Sequence, residues 1–191
     1  MASQHQPTWR WLLLLVVVFI AVFSGTRYFI ANDIVDGTSM QPTLQSGERL
    51  VSIKHQTPKR FDIVVLTEPV APHALFIKRV IGLPGDTIKV VDDQLWINGQ
   101  RVNEPYLKTA FAKQELKQFQ RAHAAATFTA NFSLSQLKAT RAKKVPAGHY
   151  FVMGDNRLVS YDSRGFGFVS KAELESVVIW RYWPLTQMRG F

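Results

Sequence analysis

Residues 94–102, Gln94-Leu95-Trp96-Ile97-Asn98-Gly99-Gln100-Arg101-Val102, give the clearest indication of the fold. Asn98-Gly99 stands between two short runs that contain apolar residues, and this dipeptide favours a two-residue type I′ hairpin turn. A second turn is predicted at Leu83-Pro84-Gly85-Asp86, where proline and glycine favour turn backbone angles. Strands joined by a two-residue hairpin are antiparallel. The stretch therefore predicts an antiparallel sheet.

On both sides of the hairpin, short apolar runs alternate with turn residues, which is typical of strands. We therefore predict a mostly β fold: an antiparallel β-sheet domain over residues 32–191, with an N-terminal transmembrane helix and a partly helical insertion. The predicted strands cover residues 49–54, 61–67, 75–81, 87–91, 94–97, 150–153 and 176–182.

The predicted insertion covers residues 106–145 and interrupts the β pattern. Residues 109–126 are rich in Ala, Gln, Lys and Glu, which favours a helix or a loosely ordered segment. The insertion carries eight basic residues and the single acid Glu115, and so accounts for +7 of the net charge of +9. Nucleic-acid binding would require a basic face on the folded domain itself, so we predict no nucleic-acid partner. A solvated basic surface without a specific partner is one interpretation, and a basic region close to a membrane is another.

Residues 11–31 are predicted to form a membrane anchor after a tail at residues 1–10. The strictly apolar run covers residues 11–23, and it extends to residue 31 if Arg27 reaches toward the interface. The longer segment matches the ~20 residues needed to cross the hydrocarbon core. A cleaved signal peptide is the alternative, because the apolar region of such a peptide is as short as the run at residues 11–23. Arg10 and Arg27 flank the run on either side, so the positive charges leave the orientation open.

The composition excludes several kinds of chemistry. The chain has no cysteine, which rules out disulfides, cysteine nucleophiles and thiolate metal sites. Its five histidines occur in no recognised metal-binding spacing. We therefore predict neither a metal nor a cofactor.

Two polar segments, one around Ser39 and one around Lys78, could supply a nucleophile and a base. Ser39 lies between Gly37 and Pro42 in a predicted loop that could hold its side chain in a fixed position, although most loop serines are only solvated. Lys78 and Arg79 are adjacent in a strand that is otherwise apolar, so their side chains point to opposite faces and at least one should be buried or paired. A lysine reaching out of an edge strand is the alternative.

Burial would make Lys78 a useful base. With an ordinary pKa near 10.4, only about 1 lysine in 2,500 is neutral at pH 7. Desolvation lowers the pKa of a lysine, and a neutral amine can take the proton of a serine hydroxyl. Arg79 cannot act in this way, because a guanidinium stays protonated.

The third cluster, residues 154–167, follows the predicted strand at residues 150–153. It contains two aspartates, two arginines and two serines between apolar segments, which is more than a turn requires. A polar network and a solvated turn with surface ion pairs both remain open at this point.

These three clusters, in this order and after an apolar segment, resemble the type I signal peptidase family of membrane-anchored Ser-Lys proteases. The resemblance covers residues 11–104 and 145–183 but not the basic insertion. The matching residues are Ser39-Met40-x-Pro42-Thr43-Leu44, then Lys78-Arg79-x-x-Gly82-x-Pro84-Gly85-Asp86, then Gly154-Asp155-Asn156-Arg157-x-x-Ser160-x-Asp162-Ser163-Arg164-x-x-Gly167.

The resemblance implies a serine endopeptidase that removes signal peptides from exported proteins through an acyl-enzyme. It makes Ser39 the nucleophile and Lys78 the general base, and Ser160 would hydrogen-bond the lysine amine. Some family members carry a serine hydroxyl in the oxyanion hole at the position of Gly37, so the backbone N–H of Ser39, with a second donor near Gly37, would replace it. The implied supporting network consists of Arg79, Asp155, Asp162 and Arg164.

The expected partners are signal-peptide-bearing preproteins and the lipid bilayer, with secretion machinery as a further candidate. The resemblance also implies a single-pass protein of the cell membrane with its catalytic domain on the extracytoplasmic side. Two rival interpretations remain. One is a Ser-Lys self-cleaving repressor, against which the membrane segment argues because it stands where a DNA-binding domain would be expected. The other is a catalytically silent, membrane-anchored β-domain that binds partners.

Overall fold

A computed structural model describes residues 8–68 and 74–191 of the chain. Residues 1–7 of the predicted tail lie outside the described residues. The helices are α1 (Thr8–Phe29), α2 (Ala110–Phe119) and α3 (Ser163–Phe166). The strands are β1 (Ile30–Ile34), β2 (Arg49–Lys54), β3 (Ile63–Thr67), β4 (Leu75–Gly82), β5 (Ile88–Val91), β6 (Gln94–Ile97), β7 (Gln100–Val102), β8 (Phe132–Ser133), β9 (His149–Met153), β10 (Val169–Ser170), β11 (Leu174–Trp183) and β12 (Arg189–Gly190).

Helix α1 is apolar around its whole circumference, and its large side chains are exposed. Within the described part of the chain, its segment Trp9–Phe29 is the one helix long and apolar enough to cross a membrane. The chain passes from Phe29 into β1 without an intervening loop. Ile30 and Ala31 pair with β2 rather than continuing the helix.

The larger sheet carries the centre of the domain. Its strands lie in the order β1-β2-β11-β3-β4-β9-β10, β12 adds to β11, and every pair is antiparallel. Strand β3 is buried on both faces from Ile63 to Leu66. Full burial of such an aliphatic side chain contributes about 1.5–3 kcal/mol. Because β4 pairs with β3, this core fixes the strand that carries Lys78 and Arg79.

The smaller sheet has the order β7-β6-β5-β8. The predicted hairpin joins β6 to β7, and Asn98 and Gly99 have φ values of 51° and 80°, as a type I′ turn requires. The predicted turn before β5 also forms, with Asp86 N–H donating to Leu83 O. The antiparallel, mostly β fold predicted from the sequence is confirmed.

The basic segment at residues 106–145 is only partly regular. Helix α2 occupies the first part of the predicted helical stretch, and its N-terminus is capped by Thr109 Oγ1, which accepts from Ala112 N at 3.1 Å. Further along, β8 joins the segment to the smaller sheet through β5. The sequence pattern did not predict β8, β10 or β12, because a strand of two residues has no alternation to detect.

Candidate active site

Two distant segments bring Ser39 and Lys78 together. Ser39 lies in the loop after β1, where its carbonyl oxygen accepts from Asn156 N at 3.0 Å. Lys78 lies in β4 and is only 3% exposed. Its side chain therefore does not reach out into solvent, and that alternative is wrong. Its Nζ is 2.9 Å from Ser39 Oγ. A serine hydroxyl and a buried amine are therefore in direct hydrogen-bonding contact.

Burial changes the acidity of Lys78. Desolvation lowers the pKa of its amine from 10.5 to about 8, although the carboxylates of Asp162 and Glu68 act in the opposite direction. The ring of Phe76, with its centroid 4.7 Å from Nζ, also favours the charged form. With a pKa of about 8, roughly one Lys78 amine in ten is neutral at pH 7. Proton transfer from Ser39 is thereby made accessible near neutral pH.

Ser160 lies beside this pair, but it does not make the expected contact. Its Oγ is buried and has no hydrogen-bond partner within the described part of the chain, so the predicted hydrogen bond to the amine of Lys78 is absent here. Gly154 explains the close packing. A Cβ placed on Gly154 would collide with the side chain of Ser160 and lie 2.5 Å from Ser39 O. Only glycine lets the loop after β9 approach Ser39 this closely.

Arg79 points to the opposite face of β4 from Lys78, as alternation in a strand predicts. Its Nε and Nη2 donate to the two carboxylate oxygens of Asp155 at 2.8 and 2.6 Å, and its Nη1 donates to Phe61 O at 2.8 Å. Thr43 Oγ1 donates to the same carboxylate at 2.5 Å. Because Thr43 follows Ser39 in the chain, Asp155 connects β4 to the serine loop.

Asp162 and Arg164 form a second ion pair that shares no partner with the first. Arg164 Nε and Nη2 donate to Asp162 at 2.8 and 2.9 Å, and Gly154 N donates to it at 3.0 Å. Burial alone would raise the pKa of Asp162, but these donors hold it below its usual value. The four predicted supporting residues thus form two separate pairs, each attached to a different part of the site.

Sequence reasoning missed a third buried pair, between Arg157 and Glu104. Arg157 Nη2 donates to Glu104 at 2.5 Å, and its Nε donates to Gly154 O at 2.9 Å. Tyr106 hydrogen-bonds Glu104 at 2.6 Å and places its ring 4.1 Å from the Arg79 guanidinium. Arg157 belongs to the third motif, residues 154–167, but nothing in the sequence around Glu104 and Tyr106 indicates that they would reach it.

The backbone near Ser39 offers donors for a developing negative charge. Gly37 has a φ of +87°, and a Cβ there would meet no atom within 4 Å. Within residues 8–68 and 74–191, the N–H groups of Gly37 and Ser39 make no hydrogen bond. Two amides therefore remain available close to the hydroxyl of Ser39.

A cleft of about 440 Å³ opens beside Ser39 and Lys78. One wall is formed by β1 and the serine loop, and the other by the N-terminal half of β4. Pairing of β4 with β9 begins only at Arg79, so on the side of β4 away from β3 no described strand pairs with the residues before Arg79. An extended peptide could occupy this edge and place a carbonyl next to Ser39.

The described residues contain no group of three or more His, Asp or Glu side chains that could hold a metal ion.

The chain is similar to known proteins over most of its length. The family model described as "Signal peptidase, peptidase S26" matches residues 8–183. The chain is 41% identical over 172 residues to Signal peptidase I V of Bacillus subtilis (strain 168), covering 88% of this chain and 95% of the relative. It is 40% identical to Signal peptidase I of Bacillus caldolyticus, covering 94% of this chain and 91% of the relative.

Among solved structures, a signal peptidase I from Enterococcus faecalis V583 has a similar fold. The two share 43% sequence identity with a TM-score of 0.57, and the match covers 64% of this chain and 97% of that one. The chain therefore belongs to the signal peptidase family, peptidase S26, whose members are serine endopeptidases that remove signal peptides.

Proposed function

We propose that Ser39 is the nucleophile and Lys78 the general base with which this signal peptidase cleaves its substrates. The observation that carries the proposal is the 2.9 Å contact between Lys78 Nζ and Ser39 Oγ. The lowered pKa of Lys78, about 8, supports the role of base, because part of the amine is neutral near pH 7. An activated serine requires such a base within hydrogen-bond reach.

The reaction then follows in two halves. Neutral Lys78 takes the proton of Ser39 as Oγ attacks the carbonyl carbon of the scissile bond, and the N–H groups of Ser39 and Gly37 stabilise the resulting oxyanion. The protonated amine gives its proton to the leaving nitrogen, so the C–N bond breaks and an acyl-enzyme remains. In the second half neutral Lys78 takes a proton from water as the water oxygen attacks the ester carbon. The bond from that carbon to Ser39 Oγ then breaks, Oγ takes the proton back from Lys78, and the acid product leaves and ionises to its carboxylate.

In this proposal, Ser160 and the two ion pairs hold the reacting groups in position. Ser160 has an unpartnered hydroxyl at the site and would hydrogen-bond the amine of Lys78 once substrate fills the cleft. The pair Arg79–Asp155 holds β4 against the serine loop, and the pair Asp162–Arg164 holds the loop after β9. These residues position the reacting groups without taking part in bond breaking.

The substrate in this proposal is the junction between a signal peptide and the mature protein, bound as an extended strand along β4. Two features support it: the unpaired edge of β4 before Arg79, and the apolar side chains of Ile34, Val65 and Ile77 that line the cleft. Small residues before the scissile bond are expected from the common pattern of signal peptides.

Membrane attachment through residues 11–31 would place the catalytic domain, residues 32–191, close to the bilayer. From Ala31 to Ser39 the chain reaches at most about 28 Å when fully extended. Cleavage sites of exported proteins emerge on the far side of the membrane, so we place the domain on the extracytoplasmic side. Contact with the lipid bilayer and with secretion machinery, and the division of residues 106–145 as a separate insertion, belong to the same proposal.

Cleavage of a preprotein in detergent tests the proposal. The full chain is compared with Ser39→Ala and Lys78→Ala, and the new N-terminus of the product is sequenced. Lys59→Ala is the matched control, because Lys59 is an exposed lysine outside the cleft. Loss of cleavage in both site variants with the control unchanged, and a cut after a small-x-small junction, is expected. Cleavage that persists in both would overturn the proposal, and an inactive wild type would favour a silent binding domain.

A further inference from the structure

A second cleft, of about 650 Å³, lies where α1 meets the β domain. It shares no lining residue with the cleft beside Ser39. Its lining includes Arg27 from the last turn of α1, Lys54 at the end of β2, and Lys171 from the short helical turn before β11. We call it the junction cleft.

The junction cleft carries an excess of positive charge. Glu175 is the one carboxylate among its lining residues, and its Oε1 already accepts from Thr67 Oγ1 at 2.8 Å. No carboxylate in the described ranges lies within 4 Å of the Arg27, Lys54 or Lys171 nitrogens, and the remaining residues, 1–7 and 69–73, contain no Asp or Glu. Among the described residues, the three cations therefore form no ion pair, and Glu175 is the one carboxylate that shares the cleft with them.

Direct contacts hold this end of α1 against the domain. Lys54 Nζ donates to Arg27 O at 3.4 Å, which supplies a cation to the carbonyl end of the helix. The rings of Tyr28 and His55 stack with their centroids 4.7 Å apart. The cations are thus brought together by the folded structure.

The position of the junction cleft relative to a membrane follows from its place at the end of α1. Arg27 lies at the end of the segment that is long and apolar enough to cross a membrane. In the membrane-attached arrangement proposed above, on which this inference rests, the cleft would therefore lie at the level of the lipid headgroups. The guanidinium of Arg27 lies over the ring of Phe23, 5.9 Å from its centroid. Phe23, Ile20 and Phe19 continue away from the cleft as exposed apolar surface. Cations at the phosphate level, with apolar helix surface beneath them, match the two parts of a phospholipid.

We propose that the junction cleft binds the headgroup of an anionic phospholipid. The phosphodiester would accept hydrogen bonds from Lys54, Lys171 and Arg27, and the acyl chains would lie along the apolar face of α1 below them. This site is separate from the catalytic proposal, because none of its cations touches Ser39 or Lys78. Its occupation would fasten one side of the β domain to the bilayer surface.

Lipid retention by the full chain tests the proposal. The protein is purified in detergent containing equal amounts of phosphatidylglycerol and phosphatidylcholine, and the retained lipids are counted by native mass spectrometry. Wild type should retain phosphatidylglycerol preferentially. Each lysine near an anionic surface changes binding by about fivefold, so Lys54→Gln combined with Lys171→Gln should reduce the preference by at least tenfold.

The matched control is Lys143→Gln combined with Lys144→Gln, which removes the same charge from exposed residues of the basic segment. This variant should retain the wild-type preference. An equal loss in both double variants would overturn the proposal, because the effect would then follow total charge. An unchanged preference in the cleft variant would also overturn it, as would retention of inorganic phosphate by the lipid-free protein without any preference between the two lipids. Cleavage of a preprotein in detergent by the cleft variant shows that the fold is intact.

Discussion

Arg79 and Asp155 are joined by two parallel hydrogen bonds of 2.8 and 2.6 Å, and both residues are buried. Arg79 directly follows Lys78 in β4, and Lys78 is the residue that contacts Ser39. Its carboxylate also accepts from Thr43, which lies in the serine loop. The planar, bidentate interaction thus joins β4 to the loop after β9, and the hydrogen bond from Thr43 adds the serine loop.

Asp155→Asn should destabilise the protein by about 3–5 kcal/mol, because it leaves the Arg79 guanidinium buried without a counter-charge. Thermal unfolding of the full chain in detergent measures the effect. The double variant Arg79→Met with Asp155→Leu removes both charges and should recover much of the loss. A single variant as stable as wild type would show that the pair is not essential to the fold.

The rate of cleavage should depend on the protonation of Lys78. Only the neutral amine accepts a proton, and burial lowers its pKa to about 8. The value of kcat/KM should therefore rise about tenfold for each pH unit below 8 and level off above it. A profile that is flat from pH 6 to 9, or one that breaks near the ordinary lysine pKa, would contradict Lys78 as the base.

Lys78 should also make stability depend on pH. Below about pH 8 the amine is protonated in both the folded and the unfolded chain, so the full cost of burying a cation applies. Between about pH 8 and 10.5 the unfolded chain holds the proton and the folded chain does not, so stability rises with pH. Lys78→Met removes the cost and should stabilise the protein at pH 7 by roughly 3 kcal/mol. Thermal unfolding of both proteins at pH 7 and pH 10 should show this gap closing.

Two serines that follow β9, Ser160 in the loop and Ser163 at the start of α3, should respond in opposite ways to loss of their hydroxyls. Ser160 Oγ is buried without a partner, so Ser160→Ala should leave stability unchanged or raise it by about 1 kcal/mol while lowering kcat. Ser163 Oγ accepts from Val152 N at 2.9 Å, and Ser163→Ala should cost about 1–3 kcal/mol because that amide loses its partner. Melting temperatures and kcat of both variants check this; a Ser160→Ala protein with wild-type kcat would remove Ser160 from the mechanism.

Gly154→Ala should lower kcat strongly. An added Cβ would lie 2.5 Å from Ser39 O and would also strike Ser160, so the serine loop must move. Reacting groups displaced by about 1 Å can lose on the order of 100-fold in rate. Gly190→Ala is the control, because its Cβ would meet no atom closer than 3.5 Å. Equal activity of the two variants would show that the loop tolerates the displacement.

The accuracy of the sequence-based predictions varied with the length of the pattern available. The predicted bounds of β2 and β6 agree with the structure, because each has apolar residues followed by clear turn signals. Ile30 and Ala31 were grouped with the membrane segment because both are apolar; their pairing with β2 depends on the partner strand, which local composition does not reveal.

The site shows the same limit. The strand pattern predicted that Lys78 and Arg79 point to opposite faces and that at least one is buried, and both are. The sequence could not predict which way the side chain of Ser160 turns, since a hydroxyl can turn toward several partners. The Glu104–Arg157 pair joins residues 53 positions apart, and only the folded chain brings them together.

The absence of a loop between α1 and β1 has a consequence for where substrates are cut. In the proposed membrane-attached arrangement, the height of Ser39 above the bilayer would be set by folded backbone and not by a flexible tether. Such an enzyme would choose its cleavage site partly by the distance from the end of the substrate's apolar segment to the bond that is hydrolysed. Residues beside the bond then select among only those positions that lie at the correct height.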